Sequence, residues 1–182
     1  MAILKVARLG HPVLREQAEP LTVDEIRHPA TQRFIDDMIE TMREYDGAGL
    51  AANQVHTLSQ ICVIEVQANP RYPYAPHIPL MVVINPVVTP LTDQMEEGWE
   101  GCLSVPDMRG RVPRFTEVRL ECHDRDGQKV DLVAKEFFAR VIQHETDHLK
   151  GIVYVDRMQD LSSLSFMSEW QRYALGVREQ QD

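Results

Sequence analysis

Apolar positions along the chain fall into several distinct rhythms. Between Ala30 and Tyr45, the residues Phe34, Ile35, Met38, Ile39 and Met42 recur at helical spacing, which predicts an amphipathic helix stopping before Gly47 and Gly49. Ile61–Val66 and Leu80–Ile84 are short apolar runs with strand character, the second expected to close at Asn85-Pro86. Between them, Gln67–Pro79 holds Pro70, Pro73, Pro76 and Pro79 and reads as a rigid surface loop. Thr116–His123 alternates, with Val118, Leu120 and Cys122 on one side, and Asp126-Gly127 predicts a hairpin into Val130–Ala134. A second helix is expected from Lys135 to Leu149, burying Phe137, Phe138, Val141, Ile142 and Leu149, with Gly151 as its stop. A last helix is expected from Leu161 to Leu175. No βαβ rhythm is present. The pattern predicts an α+β fold, with mostly antiparallel strands packed around the second helix and a C-terminal helix at the end. Residues 1–182 are expected to form one domain, of which 161–182 are the C-terminal helix and tail.

Composition narrows the function classes. The chain has 182 residues and a formal net charge of -9, which argues against stable nucleic-acid binding. Its three cysteines, Cys62, Cys102 and Cys122, are too few and too odd in number for a disulfide framework. No apolar run approaches membrane-spanning length, and Lys5 and Arg8 interrupt the opening MAILKVARLG, so no signal-peptide core is expected. These features together predict a cytoplasmic protein.

The second helix carries the strongest chemical signal, His144-Glu145-Thr146-Asp147-His148. Histidines at i and i+4 project from one helix face and can share a metal ion, while Glu145 can reach a metal-bound water without ligating. In a chain of this composition an accidental HExxH is expected about 2% of the time. A catalytic site of this type needs a third protein ligand. No histidine follows His148; Glu169 and Glu179 are candidates, as is Cys102 upstream, which by spacing alone is equally well a small buried hydrophobe. Gly47-Ala48-Gly49-Leu50-Ala51-Ala52-Asn53-Gln54 lacks the features of a phosphate loop, and taken alone reads as a helix stop followed by a helix start.

Taken together, GAGLAANQ, EGCLS and QHETDH occur in that order and resemble the three signature motifs of peptide deformylases. The likeness runs from Gly10-His11-Pro12 to about Asp156-Arg157. It implies a metal-dependent hydrolase that removes the formyl group from the N-terminal formylmethionine of new peptides and releases formate. By the same resemblance, Cys102, His144 and His148 would hold the metal, and Glu145 would act as general base on a metal-bound water. The N–H of Leu103 and the amide of Gln54 would stabilise the oxyanion. Gly49 would pair with an extended peptide, and Ala48 and Val141 would line the methionine pocket. The resemblance favours Fe²⁺ as the physiological ion, with Zn²⁺, Ni²⁺ or Co²⁺ acceptable to the same donors. It implies nascent peptides as partners, with transient ribosome proximity and no membrane contact, in a monomer or homodimer. Arg140 is read as a solvated helix position, Glu100 and Arg109 as candidates for a bracing ion pair, and Asp147 as an outer orienting group. Competing readings are a metal-dependent peptidase that needs neither Cys102 nor Gln54, and a non-catalytic relative that only binds metal or peptide.

Overall fold

The structure, a computed structural model, describes residues 2–67 and 75–175. Most of the proline-rich loop, with Pro70, Tyr72, Pro73 and Tyr74, and the tail beyond Leu175 lie outside the described residues.

Helix α1 (Val23–Arg27) opens on a capping box, in which Thr22 and Glu25 satisfy each other's backbone N–H. Helix α2 (Pro29–Glu44) follows at once, with His28 capping its first turn through Ala30 N–H and Pro29 presetting the helical φ. Strands β1 (Gly49–Ala51), β2 (Ile61–Val66), β3 (Ile78–Pro90), β6 (Glu117–His123) and β7 (Lys129–Lys135) form one sheet in the order β1-β2-β3-β6-β7. Between them in the chain, β4 (Met95–Cys102) and β5 (Val105–Phe115) pair as a long hairpin, and β8 (Ser165–Phe166) adds to its edge. Every strand pairing in the two sheets is antiparallel. Helix α3 (Glu136–His148) is the second predicted helix, and it lies against the five-stranded sheet.

The period of β2 shows why this stack forms. All its residues are buried, but alternate ones face opposite ways. Cys62, Ile64 and Val66 join Ala139, Val141 and Ile142 of α3 in one core, together with Val118, Leu120 and Cys122. Ile61 and Val63 join Ile35, Met38, Ile39 and Met42 of α2 in the other. A third core, under the β4–β5 hairpin, includes Cys102, Val112, Val153 and Tyr154.

Three expectations are corrected. β3 does not end at Asn85-Pro86: Asn85 takes a left-handed φ of 52°, the register shifts between Ile84 and Val87, and the strand resumes to Pro90. The GAGLAANQ segment contributes β1 and a short helical turn, Ala52–Val55, rather than a new helix. At the C-terminus, Leu161–Ser163 is a single turn and Ser165–Phe166 a strand, so helical structure starts only at Met167. It runs as α4 (Met167–Glu169) into wider π-type turns over Trp170–Leu175. Trp170 is buried there against Trp99.

Among the described residues no helix is long and apolar enough to cross a membrane.

Candidate active site

Three elements meet at one point. Helix α3 brings His144 and His148 on the same face, their ring centroids 5.0 Å apart. Strand β4 ends there with Cys102, whose Sγ lies 3.2 Å from His148 Nε2. The turn after β1 supplies Gln54, whose Nε2 donates to Ser104 Oγ at 3.1 Å and approaches Cys102 Sγ at 3.4 Å. The Gln54 carbonyl accepts from Ala51 N–H at 2.8 Å, which fixes the amide so that its NH₂ points at the sulfur.

The donor set fits a metal ion. One ligand atom each from Cys102, His144 and His148 lie within 4.8 Å of one another. Burial alone would raise the Cys102 thiol, but His148 and His144 override it and hold the thiol well below its ordinary value, which favours the thiolate form that binds metal. His144 gives Nδ1 to Glu100 Oε2 at 2.9 Å, which leaves its other ring nitrogen for an ion. Burial would lower His144, yet its bonds to Cys102 and Glu100 raise it well above the usual imidazole range. The site is built for a cation.

Glu145 sits beside this group, 4% exposed, with Oε2 unpartnered. Burial pushes it up to about 7, against the opposing pull of His144 and His148. Gly49 of β1 faces it closely: a Cβ there would stand 2.4 Å from Glu145 Oε1, so the strand can pass the carboxylate only as glycine. Ala48, Gly49, Leu103 and Val141 line a pocket that also touches Gln54, Cys102, His144 and Glu145. Of the residues given catalytic, substrate-binding or metal roles by the resemblance, all line this one pocket except His148, which is fully buried.

Behind the ligands lies a charge network that the motifs did not reveal. Glu100 receives Arg114 through both oxygens, at 2.9 and 3.0 Å, and Arg140 at 2.9 Å. Burial would raise Glu100, but Arg114 and His144 hold it well below the carboxylate range. Arg114 also binds Asp147, which takes Arg157 on its other side at 2.7 Å. Asp147 therefore reaches His144 only through Arg114 and Glu100, an outer role as expected. The expected pair of Glu100 with Arg109 does not form: Arg109 Nε donates to Met167 Sδ at 3.3 Å, and its guanidinium lies 4.4 Å from the centre of the Trp170 ring. Arg140 is not solvated either; it folds back onto β4 and β5. One signal for Glu100 was present in the sequence, since a strand through EGC places residues 98, 100 and 102 on one face. Nothing local marks Arg114. Asn53 was also missed: its Nδ2 donates to the His148 carbonyl, tying the first motif to the end of the third.

Comparison with known proteins settles the relationship. A family model described as polypeptide deformylase matches residues 3–163. The chain belongs to the peptide deformylase family. It is 46% identical over 164 residues to peptide deformylase 1 of Nitrosomonas europaea, covering 90% of this chain and 92% of the relative. Peptide deformylase 1 of Bordetella pertussis is 44% identical over 161 residues, covering 88% and 90%. Among solved structures, the class I type b peptide deformylase of Acinetobacter baumannii with Met-Ala-Ser bound superposes with a TM-score of 0.83 at 38% identity, covering 86% of this chain and 99% of that one. The Synechococcus elongatus peptide deformylase in complex with actinonin gives 0.78 at 32% identity, covering 96% and 87%. The deformylase family removes formyl groups from N-formylmethionyl peptides, and this chain is a metal-dependent hydrolase of that kind.

Proposed function

We propose that Cys102, His144 and His148 hold one divalent ion, and that Glu145, Gln54 and Leu103 carry out hydrolysis of the formyl amide. The observation that carries this reading is the convergence of a buried cysteine sulfur and two imidazoles at one point, beside a buried carboxylate whose Oε2 has no partner, next to one pocket. An ion so held supplies Lewis acidity, lowering the pKa of a water toward neutrality and polarising the formyl oxygen.

The rest falls to the chain. Glu145 takes a proton from the attacking water at a carboxylate oxygen and passes it to the departing amine as the C–N bond breaks. Formate and a free amino terminus result. Gln54 Nε2, held by the contacts of its amide, and the N–H of Leu103 serve the oxygen on which negative charge develops. Strand β1 is the edge of its sheet, so the backbone around Gly49 can receive an extended peptide as an added strand. Ala48 and Val141 form apolar walls for the methionine side chain. The Acinetobacter relative with Met-Ala-Ser bound supports a peptide of this type.

The ion is Fe²⁺ under physiological conditions, and Zn²⁺, Ni²⁺ or Co²⁺ can take its place. The enzyme works in the cytoplasm on nascent chains close to the ribosome, as a monomer or homodimer and without stable contact with RNA. The test is formate release from formyl-Met-Ala-Ser by protein purified without oxygen, with metal analysis of the same sample. One equivalent of iron and rapid formate release are expected. Cleavage of an unformylated peptide without formate release would favour a peptidase and overturn the reading. Cys102→Ala should lose the ion; unchanged metal content would remove Cys102 from the ligand set.

A further inference from the structure

The methionine pocket has an end wall made from an unusual residue. Arg140 lies on α3 one turn before His144, and its side chain is only 12% exposed. Nη1 donates to Glu100 Oε1 at 2.9 Å and to the Val112 carbonyl at 2.7 Å, and Nη2 donates to the Glu96 carbonyl at 2.6 Å. The guanidinium is thus pinned to two strands at once. Opposite it stands Gly98, where an added Cβ would lie 2.8 Å from both Cζ and Nη2. Arg140 fills the space that a side chain on β4 would otherwise occupy.

This position separates two spaces. Trp99, Phe137 and Arg140 border the pocket beside the metal ligands and also a groove on the far side. The free volume is about 40 Å³ in the pocket and about 980 Å³ in the groove. We infer that Arg140, seated against Gly98, is the partition that ends the methionine pocket and limits the length of side chain it accepts. The inference rests on the reading of this pocket as the methionine site. With its donors engaged by Glu100 and backbone carbonyls, Arg140 can close an apolar pocket through its stem and its weakly hydrated plane. Without it, the pocket opens into the groove.

The experiment compares kcat/KM for formate release from formyl-Met-Ala-Ser with that from the same peptide carrying 2-aminodecanoate in place of methionine. Taking the ratio cancels any general loss from loosening Glu100. Wild type should favour methionine. Arg140→Ala should move the ratio toward the long side chain by at least about tenfold, the scale on which a pocket discriminates methylenes. Gly98→Leu/Arg140→Ala refills the gap from the opposite strand and should return the ratio to within about threefold of wild type. A ratio that stays put in Arg140→Ala overturns the inference. If that variant does not fold, Gly98→Ala carries the test, since its Cβ would stand 2.8 Å from Cζ and Nη2 and must dislodge the guanidinium from its seat. Dislodging the partition should move the ratio toward the long side chain by about fivefold relative to wild type, and no shift overturns the inference. Wild type that releases no formate from formyl-Met-Ala-Ser would instead refute the deformylase reading itself.

Discussion

Removing Arg114 tests whether the charge network holds the catalytic helix in place. Arg114 is 5% exposed and bridges two buried carboxylates, Glu100 at 4% and Asp147 at 7%. Breaking one buried ion pair by deleting a partner costs roughly 3–5 kcal/mol, because the remaining charge stays buried. Two carboxylates would be stranded by Arg114→Met, but each keeps another cation: Glu100 retains Arg140 and Asp147 retains Arg157. The expected loss is therefore near the lower end, about 3 kcal/mol. For a chain of this length that corresponds to a fall in Tm of roughly 6–12 °C. Arg157→Met is the control. Arg157 binds the same carboxylate but is 45% exposed, so its removal should cost no more than about 1 kcal/mol. Urea denaturation of the two variants, each with and without bound metal, measures the difference. Equal losses, or a loss below about 1 kcal/mol for Arg114→Met, would show that burial does not set the strength of this network.

Other outcomes are equally specific. Glu145→Gln should keep its metal, because Glu145 is not among the clustered ligand atoms, yet lose about 10²- to 10⁴-fold in kcat; elemental analysis and formate release read both quantities. Gly151→Ala should destabilise the fold by about 1–2 kcal/mol or more, since Gly151 has φ 73° and its Cβ would stand 2.6 Å from the Arg15 carbonyl oxygen. Thermal denaturation checks that value. Arg43 holds Glu65 below the usual carboxylate range at 2.7 Å. The stability this adds is complete above the ordinary glutamate pKa and fades as pH falls through the lowered one. Glu65→Gln should therefore be less stable than wild type by about 0.5–1 kcal/mol at neutral pH, with the gap closing in acid. A gap that persists at low pH would exclude the ion pair as its source.

How much of this was legible in the sequence depends on the range of each interaction. Helices α2 and α3 were readable because Ile35, Met38, Ile39 and Met42, or Phe137, Phe138, Val141, Ile142 and Leu149, repeat at the helical period and pack against a sheet face. β6 and β7 were readable from alternation and a glycine turn. The β4–β5 hairpin was not, since Trp99, Glu100, Arg109 and Arg114 do not alternate by polarity: the sheet buries charges that neutralise one another. Pro86 suggested a strand end, whereas Asn85 absorbs the irregularity in a bulge. At the site, HExxH offered two candidate ligands by spacing alone, and the third candidate came only with the resemblance. Arg114 and Arg140 stayed hidden because their roles come from pairing across elements. A lone arginine on a helix or strand carries no local mark of where its guanidinium will be held.

The bond from Asn53 to the His148 carbonyl has a bearing on how the enzyme comes into being. It joins residues 95 apart in sequence, and within that span Gln54 meets Cys102 across 48. Contacts of such span contribute only after the intervening chain has been ordered, so loop closure precedes any reward from the site. During synthesis, an ion held by the proposed donors would meet His144 and His148 only after the whole five-stranded sheet has been translated. An amino-terminal fragment that stops before α3 lacks two of the three clustered donors, and should therefore have no activity.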